Sequence, residues 1–146
     1  MKPVGWLRLL LPGSVIFALC ICACGSSGKY SPSELPEVFT KAQQTAEAES
    51  KLIFVDFTAG WCPPCKMLEQ RTFKDSRVIE KLKKFVWLKI DVDKRENNSL
   101  ARKYGVSGIP KLCFLKHGGE VVVSAVGYHS PDQMLKLMDE ALSSMS

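Results

Sequence analysis

The chain has 146 residues, room for one domain and little else. With 46% hydrophobic and 24% charged residues it has the make-up of a packed globular protein, which excludes wholesale disorder. Its 20 basic and 15 acidic residues give a net charge of +5, too mild and too evenly spread to point to nucleic acid. The six cysteines carry more information. Cys20, Cys22 and Cys24 crowd an apolar run near the amino terminus, Cys62 and Cys65 form a Cys-x-x-Cys pair, and Cys113 stands alone. That is not the spacing of a disulfide-stapled mini-protein. The sequence has no glycine-rich phosphate loop, no His-Glu-x-x-His and no second Cys-x-x-Cys, and His117 and His129 are its only histidines. No metal site and no cofactor are expected.

Residues 1–23 read as an export signal. Lys2 and Arg8 make a positive start, and Leu9 to Ala23 is apolar except for Pro12, Gly13 and Ser14. The unbroken part, Val15 to Cys24, is far shorter than the roughly 20 residues that span a bilayer. Ile21-Cys22-Ala23-Cys24 resembles the lipobox of bacterial lipoproteins, with an aliphatic residue three before the modified cysteine and a small residue directly before it. Cys20 and Cys22 lack the small residue, so Cys24 is the expected lipidation site. A plain secretory signal and an uncleaved anchor are the alternatives. Residues 24–32 are small and polar and read as a flexible tether, leaving 33–146 as the folded unit. The expected compartment is the bacterial cell envelope, facing the periplasm or the exterior, where thiols oxidise unless a dedicated donor reduces them.

Leu35, Val38, Phe39, Ala42 and Ala46 recur at helical spacing, with Ser33 as a candidate cap. Leu52 to Val55 reads as a strand buried on both faces. Cys62-Pro63-Pro64-Cys65 then opens a helix, since prolines fit a first turn whose amides have no intrahelical acceptor. Val78, Ile79, Leu82 and Phe85 continue a helical period after a break near Lys74-Asp75. Val86, Leu88, Ile90 and Val92 alternate with polar or larger residues as a second strand. Leu100 to Tyr104 is a short helix stopped by Gly105, and two strands flank His117-Gly118-Gly119 as a hairpin. Ser130, Pro131 and Gln133 start a last helix with a capping box, and Met134, Leu137, Met138, Ala141 and Leu142 form its buried face. Strands separated by helices imply parallel pairing, and the hairpin adds antiparallel strands. The fold class is α/β, a mixed central β-sheet with helices on both faces.

Two cysteines separated by two residues can close a small disulfide or present two thiols. At a helix start the partial positive charge favours a thiolate on the first, which makes Cys62 the expected nucleophile and Cys65 the resolving thiol. Pro63 and Pro64 offer no amide hydrogen to the Cys62 sulfur and stiffen the turn. Half of a zinc site, or a Cu(I) site, would share this spacing, but Cys113 is the only other cysteine within the folded unit.

The run Val55-Asp56-Phe57-Thr58-Ala59-Gly60-Trp61-Cys62-Pro63-Pro64-Cys65-Lys66 resembles the active-site strand and helix of the thioredoxin family. Gly108-Ile109-Pro110 resembles its cis-proline loop and Val126-Gly127 its late glycine, so the likeness runs from Lys51 to Leu142. The short span from Cys65 to Pro110 leaves no room for the insert of TlpA-like relatives. Thr72-Phe73-Lys74-Asp75-Ser76-Arg77-Val78 looks most like the carboxy-terminal periplasmic domain of DsbD and its stand-alone relatives. The resemblance implies a thioredoxin-like fold and a redox-active Cys62–Cys65 disulfide. It further implies that Asp56 is a buried proton acceptor for Cys65, with Lys89 paired to it. Trp61, Pro63, Pro64, Ile109 and Pro110 are implied to contact substrate, with Pro110 cis and the Ile109 backbone free to pair with it like an added strand. Two positions depart from the family pattern near the groove: Thr58 stands where an aromatic is common, and Lys111 where threonine is usual. Cys113 reads as a buried inert thiol, and His117 and His129 carry no expected role.

These readings converge on an envelope protein-disulfide reductase that acts as a monomer. Its expected partners are protein disulfides, a DsbD-like membrane electron donor and the lipid membrane through Cys24. A disulfide oxidase or isomerase of the same fold, and a non-catalytic copper- or haem-delivery module, are the alternatives.

Overall fold

The structure is a computed structural model and describes residues 35–145. The signal, Cys24, the tether and the candidate cap Ser33 lie outside the described residues. Five helices and four strands follow in the order α1 (Glu37–Ala48), β1 (Leu52–Thr58), α2 (Pro63–Gln70), α3 (Ser76–Leu82), β2 (Phe85–Asp91), α4 (Asn98–Lys103), β3 (Lys111–Leu115), β4 (Val121–Val126) and α5 (Pro131–Ser143). The sheet order is β2-β1-β3-β4, with β1 parallel to β2 and antiparallel to β3, and β3 antiparallel to β4. The mixed sheet expected from the element order is present.

The strand at the centre, β1, is buried along its whole length. Because side chains alternate across a strand, its residues divide between two cores. Leu52 and Phe54 join Leu68 of α2, Val78 and Leu82 of α3, and Met134, Met138 and Ala141 of α5. Ile53, Val55 and Phe57 join Phe39, Ala42 and Ala46 of α1 and Leu100 of α4. Helices therefore cover both faces. Phe54 anchors the first core: its ring stacks on Phe114 at 4.7 Å between centroids and meets the edge of Phe73 at 6.1 Å. Truncating so buried a phenylalanine costs about 3–5 kcal/mol, so this cluster does much to hold β1 in register.

Local signals place most helix ends. Ser130 caps α5, its hydroxyl accepting from the Gln133 amide while the Gln133 side chain accepts from the Ser130 amide. Asp75 caps α3, accepting from the Arg77 amide, and Gly105 ends the α4 turn with φ +57°. Several boundaries differ from the sequence reading. Leu35 precedes α1 rather than opening it, because Pro36 is the N-cap residue and a residue before proline avoids the helical region. Phe85 opens β2 rather than closing α3: it sits three residues after Leu82, as a helix would place it, but pairs opposite Leu52 on β1. The first strand also runs on through Thr58, carrying Asp56 into the sheet.

Candidate active site

The site is assembled where β1 ends and α2 begins. Cys62 is the N-cap of α2, and Pro63 and Pro64 occupy its first two positions. Cys62 and Cys65 are joined as a disulfide with their Cα atoms 5.3 Å apart. The Cys62 sulfur accepts a hydrogen bond from the Cys65 amide at 3.3 Å. Because neither proline has an N–H, the Cys65 amide is the first in the helix that can reach that sulfur. Ala59, Cys62 and Cys65 form a small apolar cluster, with Val92 and Ile109 packed against it.

On α2, Cys65 and Leu68 make the stripe that faces the sheet. Asp56 lies on the β1 face beneath it, 2% exposed, and its Oδ1 has no hydrogen-bond partner among the described residues. Burial raises the Asp56 pKa to about 7 against an ordinary 3.8; the Lys89 charge pulls it down and the Glu69 charge pushes it up. Near neutral pH this carboxyl can take a proton from a thiol above it and release it again.

The structure corrects the expected pairing of Lys89. Lys89 lies beside Asp56 in the β1–β2 register, but its ammonium forms an ion pair with Glu69. The lysine is half exposed, and its charged end stays in water instead of losing hydration beside a buried carboxyl. It acts on Asp56 by charge alone. Glu69 escaped the sequence reading, although its position four residues after Cys65 puts it on the same side of α2.

The remaining candidates converge on one end of the sheet. Trp61 is 65% exposed and its indole N–H donates to Asp93 Oδ2 at 2.9 Å. Asp93 also escaped the sequence reading: it is 32 residues from Trp61 and nothing local marks it. The Ile109–Pro110 peptide bond is cis, with Pro110 buried and Ile109 beside the cysteines. Pro63 is exposed and Pro64 half-buried. Lys111 turns away from the groove, its ammonium donating to the Tyr104 carbonyl at 2.7 Å and the Gly105 carbonyl at 3.0 Å at the end of α4. Cys113 is fully buried in the α1–α4 core, and burial pushes its thiol up to about 11, which disfavours the reactive thiolate.

A thioredoxin-like domain model matches residues 39–142. The chain belongs to the thioredoxin-like family. It is 40% identical over 99 residues to thioredoxin of Bacillus subtilis, covering 67% of this chain and 89% of that one. It is 34% identical over 103 residues to the thiol:disulfide interchange protein DsbD of Campylobacter jejuni, covering 69% of this chain but only 18% of DsbD. A solved structure of a candidate disulphide-isomerase from Bacteroides thetaiotaomicron superposes with a TM-score of 0.62 at 42% identity, over 72% of this chain and 88% of the other. In a thioredoxin-like domain with two cysteines at bonding distance, the chemistry is thiol–disulfide exchange.

The raised pKa of Asp56 has a measurable consequence. From about pH 4 to pH 7 the unfolded chain has lost the Asp56 proton while the folded chain keeps it, so stability falls as pH rises and then levels off. Asp56→Asn is expected to remove that decline and to make the oxidised protein more stable at pH 8 by on the order of 3 kcal/mol. Urea unfolding at pH 5 and pH 8 checks this. A variant no more stable than the wild type at pH 8 would contradict it.

Proposed function

We propose that this chain is a lipid-anchored protein-disulfide reductase of the bacterial envelope. The carrying observation is the poverty of donors at the Cys62 sulfur: among the described residues, one amide from the first turn of α2, with two prolines in between. A helix terminus alone stabilises a thiolate moderately, which leaves the reduced pair willing to give up electrons. The Cys62 thiolate attacks one sulfur of a substrate disulfide, forming a mixed disulfide and expelling the other sulfur as a thiolate. Cys65 then loses its proton to Asp56 and attacks the Cys62 sulfur. The Cys62–Cys65 disulfide forms, the substrate leaves with two thiols, and two electrons have passed to it. Trp61, Pro63, Pro64, Ile109 and Pro110 border the groove where the substrate lies, and the Ile109 backbone pairs with it as an added strand.

The leader-like residues 1–23 and the lipobox-like Cys24 support the envelope location and the anchor. A reductant there needs electrons from the cytoplasm, and a DsbD-like membrane protein is the fitting donor, consistent with the likeness to DsbD. The 42% identity to the Bacteroides protein favours an isomerase as the second reading.

Cys65→Ser is expected to trap mixed disulfides with envelope proteins, because the resolving step is lost, whereas Cys62→Ser traps none and reduces no insulin. Non-reducing gels of the two variants decide the roles; trapping by Cys62→Ser alone would reverse them. Cys24→Ser is expected to move the protein from the membrane fraction to the soluble one, since each buried CH₂ of an acyl chain contributes about 0.8 kcal/mol. An unmodified Cys24 in the intact mass of the mature protein would end the anchor.

A further inference from the structure

The segment Thr72–Val78, just after the active-site helix, contributes nothing to the exchange chemistry above, yet its first residue reaches the substrate groove through a chain of hydrogen bonds. Thr72 is fully buried in the short 3-10 turn that follows α2. Its hydroxyl donates to the His129 carbonyl at 2.6 Å. The His129 ring turns back along its own loop, with Nδ1 at 2.9 Å from the Gly127 carbonyl. A carbonyl only accepts, so Nδ1 carries the proton and donates. Gly127, at φ +92° where glycine is favoured, donates its amide to the Pro110 carbonyl at 2.8 Å. The path therefore starts at the end of the cysteine-bearing helix and ends on the cis-proline. These are the two halves between which a substrate must fit.

We propose that Thr72 and His129 are positioning residues that latch the Gly127–His129 loop and thereby hold the Ile109–Pro110 edge at a fixed distance from Cys62. Neither residue touches a sulfur. The latch acts on the capture of an extended polypeptide, which must meet the Ile109 backbone and Cys62 together. A small disulfide needs only the cysteine. The inference rests on the proposal that Ile109 and Pro110 receive the substrate, and it assigns these two residues to specificity for polypeptide disulfides.

Full-length Thr72→Val and His129→Ala test it. One lost hydrogen bond corresponds to roughly three- to tenfold in binding, so each variant is expected to raise KM for insulin by about that factor. Reduction of bis(2-hydroxyethyl) disulfide and the equilibrium constant with glutathione should stay within about twofold of the wild type, being set at Cys62 and Cys65. Thr72→Ser keeps a hydroxyl, and His129→Asn places an amide N–H near the Nδ1 position; both are expected to restore the insulin KM. Hydrogen exchange supplies a readout independent of turnover: the Gly127 amide should exchange faster in Thr72→Val and His129→Ala, and the β1 amides should not. Equal losses with insulin and the small disulfide would reduce the latch to a general folding contact and overturn the proposal. An unchanged Gly127 exchange rate would overturn it whatever the activities. A wild type that reduces the small disulfide but not insulin would instead remove the protein-reductase reading, leaving Gly127 exchange to decide the latch.

Discussion

The disulfide sits where a buried strand hands over to a helix, and the N-cap position of Cys62 governs the rest of the site. Placing a sulfur at a helix start exposes it to the partial positive charge of the first turn. Two prolines in that turn withdraw the nearest amides, leaving the Cys65 N–H at 3.3 Å as the donor within reach. The same turn puts Cys65 on the buried stripe of α2 with Leu68, on the side of the sheet that carries Asp56. One junction thus gives two thiols of identical chemistry different settings, Cys62 at the helix end and Cys65 on the buried face of α2, which is the asymmetry the proposed attacking and resolving roles require.

Asp56 is the cost that this arrangement carries. A buried carboxyl with an unpartnered oxygen opposes folding, and hydrophobic packing along β1 on both faces offsets it. Lys89 and Glu69 temper it in opposite directions and form an ion pair with each other. Burial is what raises the Asp56 pKa to about 7; the two charges act on it in opposite directions. A lysine bonded directly to Asp56 would instead hold the carboxyl ionised. The proposed substrate side is a separate set of residues, Ile109 and Pro110 across a cis bond and the exposed Trp61 held by Asp93.

The parts legible in the sequence are those whose cause is local. Ser130, Pro131 and Gln133 spell a helix start within four residues, and Cys62-Pro63-Pro64-Cys65 marks both the turn and its chemistry. Alternation along β2 and the apolar run of β1 are enough for the mixed sheet. Phe85 misleads because a residue three after Leu82 satisfies the helical period, and only pairing opposite Leu52 reveals a strand. Leu35 misleads because its apolar side chain fits the helix pattern, while Pro36 bars its backbone from the helix. The contacts that the sequence hides link distant segments. Trp61 meets Asp93, and Thr72 meets the His129 carbonyl 57 residues away, through contacts that exist only once the sheet has closed. The Lys89–Glu69 pair is half visible, since spacing puts Glu69 beside Cys65 but gives no reason for Lys89 to prefer it over Asp56.

The central claim is that the Cys62 thiolate is only moderately stabilised, so that the pair gives electrons more readily than it takes them. The most direct test is the redox potential of the purified protein, measured by equilibration with glutathione buffers. The account predicts a potential well below about −180 mV, toward the roughly −270 mV typical of thioredoxin. A value above about −180 mV would mean an over-stabilised thiolate and would contradict the account in favour of an oxidase or isomerase.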